Sequence, residues 1–282
     1  MKTRPIKKVF TPKPVLEGAG VHLKRAFGYY EIPQFDPFLL MDDFRNDIPE
    51  KYLKGFPWHP HRGIETITYM LEGSAEHGDS MGNAGTIHAG DVQWMTAGSG
   101  IIHQEMPKPG PDGRMHGFQL WANLPAAHKL IDPRYQDVKA ADIPILTLEN
   151  SVEIRVICGE INGVNGPVKD IVIDPEYLDI TIPAGKAYFH PTKKGYTVIV
   201  YVIGGTGTTG DDQQEPIQNT SLVLYNDGDQ VSLTAGDETL RLLFISGKPL
   251  HEPIAWGGPI VMNTREELNL AFEEFKSGNF IK

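Results

Sequence analysis

The chain holds a single cysteine, Cys158, among 282 residues. That excludes an internal disulfide framework and any cysteine-rich zinc or iron–sulfur centre, and it fits a reducing compartment. No apolar run reaches the roughly 18 residues that a membrane-spanning helix needs, and the first residues lack the apolar core of a secretion signal. Cationic excess is also missing: 26 Lys and Arg stand against 36 Asp and Glu, for a net charge of −10. An acidic surface repels phosphates, which disfavours direct nucleic-acid binding. The basic residues present gather near the start, where Lys2, Arg4, Lys7, Lys8, Lys13, Lys24 and Arg25 face only Glu17. Such an arm could meet an acidic partner; pairing with the chain's own acidic excess is the simpler reading. With no long Lys/Arg cluster of the nuclear-import type, a cytoplasmic, prokaryotic protein is expected, the nucleus being the alternative in a eukaryote.

Alternation of strand with helix is absent too, which argues against a parallel α/β sheet. What is present is punctuation, 30 Gly and 22 Pro, between short runs rich in β-branched and aromatic residues. Residues 64–71, 92–95, 117–122, 152–157, 177–182, 197–203, 221–225, 230–233 and 240–245 read as strands. Alternation within them is too weak to assign faces. Their spacing indicates an all-β sandwich or barrel. One helix is signalled near the end: Thr264 with Glu267 forms a capping box, Leu268, Ala271, Phe272 and Phe275 follow at helical spacing, and Gly278 is a stop. The polar stretch 126–144, with Pro133 and Pro144, marks a boundary between two halves of similar texture. The expected domains are 1–135, carrying the site, and 136–282, ending in the helix.

The chemistry resides in paired residues. His59-Pro60-His61 puts two imidazoles at i and i+2, which share a face if the segment is extended. His103-Gln104-Glu105 repeats the pattern with an imidazole and a carboxylate. Two such pairs on facing strands would meet as three nitrogens and one oxygen, a donor set for Fe(II), Mn(II), Ni(II) or Zn(II). Four protein ligands leave a coordination position open, which suits catalysis better than a structural clip. Glu65, at i+4 from His61, lies on the same face by alternation, so spacing alone leaves Glu65 and Glu105 as alternatives.

These strings resemble a known family. His59-x-His61-x-x-x-Glu65 followed by Gly73, and Gly90-Asp91, Gly98 and His103, are similar to the two cupin motifs. Thr96 stands where the second motif has proline, and its histidine comes two residues late. FPWHPHRGIETITYMLEG (56–73), GDVQWMTAGSGIIHQEMP (90–107), HGFQLWANL (116–124) and PIVMNTREEL (259–268) resemble pirin segments. The likeness runs from about residue 15 to about residue 275. It implies a bicupin, two tandem antiparallel β-barrels of the jelly-roll type. It also implies one metal, usually iron, in the first barrel, held by His59, His61, His103 and Glu105, with Mn, Co, Ni, Cu and Zn as alternative ions. The second barrel, where His190 has no H-x-H companion, is expected to lack a metal. Some pirins resemble quercetin 2,3-dioxygenases, which open flavonols with O2 and release carbon monoxide. On that pattern Glu105 is both ligand and catalytic base, toward a small aromatic substrate. Nuclear pirins resemble iron-dependent redox sensors that bind a transcription factor, and this non-enzymatic role, or regulation of a metabolic enzyme, is the alternative. A monomer is expected.

Phe56 and Arg62, each within three residues of a proposed ligand, are candidate substrate contacts, since an arginine at a metal's mouth can hold an anionic oxygen. Asp42 and Asp43 read as a loop cap. Trp94, Met95 and Trp121 read as core, and Cys158 as a small buried hydrophobe. His22, His77, His88, His116, His128, His190 and His251 are isolated and read as ordinary core or surface histidines, His77 in a solvated Gly-rich turn.

Overall fold

The β-rich runs become strands almost where the sequence puts them. In the computed structural model, which describes residues 1–210 and 214–282, they form Ile64–Glu72, Val92–Thr96, His116–Asn123, Glu153–Cys158, Glu176–Ile182, Thr197–Gly204, Leu222–Tyr225, Gln230–Ala235 and Leu240–Gly247. All strand pairings in the sheets are antiparallel. The fold is a bicupin: two jelly-roll barrels, each combining a seven-stranded with a four-stranded sheet. The helix is Arg265–Lys276, and its capping box forms, Thr264 Oγ1 accepting from Glu267 N at 3.2 Å and Glu267 Oε2 from Thr264 N at 3.0 Å. Among the described residues no helix is long and apolar enough to cross a membrane.

The barrels are discontinuous in sequence, which corrects the single boundary at 135/136. One compact unit is Lys13–Ala140 with Leu250–Lys282, and the other is Met1–Pro12 with Ala141–Pro249. Residues 134–138, placed in the boundary by their polarity, are a strand (Arg134–Val138) that pairs with Val92–Thr96 and completes the first barrel's large sheet. The N-terminal arm belongs to the second barrel because Ile6–Phe10 pairs with Leu222–Tyr225. Arg4 anchors it: the guanidinium is buried and donates to Thr192 Oγ1 and to the carbonyls of Lys193, Tyr196 and Asn226, at 2.7–3.0 Å. The core of that barrel alternates along its strands: Ile154 and Val156, then Leu178, Ile180 and Ile182, then Val198, Val200 and Val202, closed by Tyr188, Val231 and Leu233 of the small sheet. His190 is buried there, between Tyr188 Oη at 2.9 Å and Glu176 Oε2 at 3.5 Å.

The C-terminal segment returns to the first barrel, so the helix does not end the second. Its hold is specific. Ile260 bridges to Arg62, and Val261 N donates to Arg62 O at 3.1 Å. Lys129 Nζ donates to Gly63 O, Asn123 Oδ1 and Val261 O at 2.8, 2.6 and 2.9 Å. Gly63 is required where the segment crosses. Its φ is +76°, and a Cβ there would lie 2.0 Å from Val261 O. Lys129→Met should therefore take this donor from Asn123 Oδ1 and Val261 O, while Gly63 O keeps Leu124 N at 3.3 Å, and cost about 2–3 kcal/mol, read as a lower denaturant midpoint at unchanged m-value. An unchanged midpoint would mean that water replaces the ammonium without loss.

Candidate metal centre and cavity

The site rests on the four-stranded sheet of the first barrel, ordered Phe56–His61, Ile101–Lys108, Ser74–Asp79, Ala84–His88. Phe56–His61 is its edge strand, which is why Pro57 and Pro60, lacking an N–H, are tolerated there. His59 sits opposite His103, and His61 opposite Ile101. A register shift follows between His103 and Glu105, which next faces Phe56. Such a bulge re-aims side chains without ending the ladder.

The geometry brings three of the four expected ligands to one point. His59 Nε2 lies 3.0 Å from His61 Nε2 and 3.0 Å from His103 Nε2. Among the described residues these three form the group of candidate ligand atoms lying within 4.8 Å of one another; Glu105 is outside that circle. The Glu105 carboxylate is buried in the wall of the same cavity and accepts from Thr68 Oγ1 at 3.0 Å. Glu65 turns elsewhere, accepting from Thr96 Oγ1 at 2.7 Å, and does not line the cavity.

The partners of the imidazoles test whether a cation fits. His59 Nδ1 faces Pro57 O at 2.8 Å and His61 Nδ1 faces Pro259 O at 3.1 Å. A carbonyl only accepts, which assigns the proton of both rings to Nδ1 and leaves both Nε2 atoms as bare acceptors. His103 Nδ1 is buried and finds no partner among the described residues, so a proton on its Nε2 satisfies one contact. The His59–His61 contact still sets lone pair against lone pair at 3.0 Å. A cation shared by the rings resolves that conflict, and carbonyl-held Nδ1–H groups are the usual support of metal-binding imidazoles. Burial pushes all three rings below the ordinary imidazole range, His61 and His103 strongly, which keeps them neutral as ligands must be. Burial pushes the Glu105 carboxyl up to about 7.

Above the histidines opens a cavity of about 640 Å³. Its walls include Phe56, Trp58, Trp121, Trp256 and Tyr29, with Trp121 edge-on to His61 at 5.1 Å. Phe56 thus lies where a substrate contact was expected. Arg62 does not. Its neighbour His61 faces the cavity, so alternation sends Arg62 the other way. It is buried under the C-terminal segment, donating to Glu274 Oε2 and Phe280 O and lying 4.2 Å from the Phe280 ring centroid. Trp121, expected in the core, does pack against a core cluster and also walls the cavity. Asp42, expected to cap a loop, is a buried strand residue gripped by Arg25 in that wall. His77, expected in a solvated turn, is buried on Ser74–Asp79 with its Nε2 3.0 Å from Gln93 Nε2. The sequence reading missed Thr68, Trp256 and the Pro259 carbonyl. Thr68 is signalled only by lying opposite Gln119 in the completed sheet, and the others lie about 200 residues from the motif.

Fold and site together define a two-barrel cupin with a three-histidine cluster in its first barrel. The Pirin family profile matches residues 20–122, and the Pirin C-terminal cupin domain profile matches residues 177–281. A pirin-like protein of Caulobacter vibrioides is 42% identical over 281 residues, covering 99% of this chain and 100% of that protein. Human pirin is 39% identical over 264 residues, covering 93% and 88%. A crystal structure of quercetin 2,3-dioxygenase from Acinetobacter baumannii superposes with a TM-score of 0.90 at 32% identity, covering 99% and 98%. The chain belongs to the pirin family.

Proposed function

We propose that the protein is a metal-dependent dioxygenase that opens flavonols such as quercetin. His59, His61, His103 and Glu105 would hold a divalent transition ion, Fe(II) in the first instance. The observation that carries this reading is the convergence of three Nε2 atoms, two of them on His59 and His61 in the lining of an aromatic-walled cavity. Flat aromatic walls suit a flat aromatic substrate, and the likeness to the Acinetobacter enzyme supports the same reaction class. When bound, the ion would supply Lewis acidity toward vicinal substrate oxygens and one-electron exchange with O2. The protein's own groups do the rest. Phe56, Trp58 and Trp121 orient the rings and exclude water from the histidines. Glu105, held by Thr68, takes the proton of the flavonol 3-hydroxyl.

Aerobic quercetin added to Fe(II)-loaded protein should lose its flavonol absorbance with release of carbon monoxide. His103→Ala should abolish both while the far-UV spectrum stays that of a β protein. Intact quercetin with a full complement of metal would overturn the enzyme reading. The redox-sensing alternative would then be favoured, and its signature is a protein complex that forms with Fe(III) and not with Fe(II).

A further inference from the structure

We propose that Asp42 and Glu17, arranged around Arg25, form an acceptor wall that reads the ring hydroxyls of the substrate, so that the cavity selects neutral polyhydroxylated aromatics. The proposal rests on the flavonol reading above and deepens it.

One register row crosses the large sheet of the first barrel: Arg25 lies opposite Asp42, Asp42 opposite Gln119, and Gln119 opposite Thr68. Directly paired residues of antiparallel strands share a face, and Arg25, Asp42 and Gln119 all line the cavity. Thr68 donates to Glu105 Oε1 at 3.0 Å. The row therefore leads from the proposed base to a second polar station. Two strand spacings, about 10 Å, separate Asp42 from Thr68, a span that a ligand of two or three rings covers. Between and around them the lining is apolar, with Leu23, Leu40, Phe44 and Trp121.

The charge pattern of the station fixes what it accepts. Arg25 Nε and Nη2 each donate to Asp42 at 2.8 Å, and Nη1 meets Glu17 Oε1 at 2.9 Å. The single cation is answered twice over. A third anion gains little from it and is repelled by two carboxylates. With two carboxylates against one guanidinium the station is net negative, and its carboxylate oxygens accept and never donate. Phenolic hydroxyls match them; ring carboxylates and phosphates do not. Asp42 is almost wholly buried while Glu17 is 41% exposed, so Glu17 is the more open acceptor.

The test is an anaerobic titration of the metal-loaded protein with quercetin and with 3-hydroxyflavone, followed by tryptophan fluorescence. Both ligands carry the same 3-hydroxy-4-oxo group, and only quercetin has further hydroxyls. Quercetin should bind about tenfold tighter or more, the factor expected of one or two hydrogen bonds to charged acceptors. Asp42→Asn should bring the ratio of the two affinities toward one. Glu17→Gln, at a more exposed position, gives the same readout should the buried variant fail to fold. Equal affinities in the wild type, or tighter binding of the more apolar 3-hydroxyflavone, would overturn the acceptor wall alone and leave the flavonol reading standing. If neither ligand binds the metal-loaded protein, both fall.

Discussion

In chelator-treated protein at pH 8, Glu105→Gln is expected to be more stable than the wild type by about 1–3 kcal/mol, while binding a divalent ion far more weakly. The two effects share one cause. Burial lifts the Glu105 carboxyl to about 7, against about 4.3 in an unfolded chain. Between those values the folded, metal-free state keeps a proton that the unfolded state gives up. The Glu105 contribution to stability therefore falls as pH rises through that window, by about 1.4 kcal/mol per unit at most; the buried imidazoles, common to wild type and variant, contribute with the opposite sign, so the difference between the two proteins isolates the carboxyl. Glutamine has nothing to titrate, so the variant lacks the carboxyl's part of the slope. Ion binding reverses the preference, because a ligating carboxylate must be ionised. Wild-type affinity should then rise more steeply with pH than the variant's between about pH 5 and 7, by up to about tenfold per unit. Burial lowers all three imidazoles, His61 and His103 strongly and His59 less, so the imidazole contribution is the part the variant retains. Urea unfolding at pH 5 and 8, with chelator-competition titrations across the same range, measures both. Parallel wild-type and variant affinity profiles would remove Glu105 from the ligand set.

Arg62→Met is expected to strike folding and ion affinity rather than the affinity for an anionic substrate. The substitution leaves Phe280 O without its donor and Glu274 without its buried partner. Breaking a buried pair costs about 3–5 kcal/mol. The lower end applies here, because Glu274 keeps Lys282 Nζ at 2.6 Å. Arg62 also holds the segment whose Pro259 carbonyl supports His61, so ion affinity should fall about tenfold, the scale of supporting hydrogen bonds at metal sites. Thermal unfolding and ion titration check the two parts. A variant of normal stability that binds ligands poorly would return Arg62 to the cavity mouth, where its place in sequence suggested it.

Arg62 also shows where sequence reasoning stops. Its nearness to His61 along the chain says nothing of the face it takes, and alternation about the strand points it the other way. Faces were hard to read because central strands such as Ile64–Glu72 and Thr197–Gly204 are buried on both sides, which erases the polar–apolar beat. The helix was legible to the residue at its start, since a capping box is a local bargain between Thr264 and Glu267. The site was legible as two i, i+2 pairs, because spacing along one strand is covalent.

The sequence by itself determined the strands and their turns, the helix cap, the two i, i+2 residue pairs and the family. Each of these rests on residues within a few positions of one another, where backbone geometry fixes the outcome. Only the tertiary structure decided which barrel claims each terminus, that Pro259 serves His61, that Thr68 rather than an ion pair holds Glu105, and that Asp42 and Arg25 furnish a cavity wall. Those contacts join residues from 17 to 222 positions apart. At such separations loop closure is nearly indifferent to chain length, so partners are chosen by burial and complementary charge in the folded barrel.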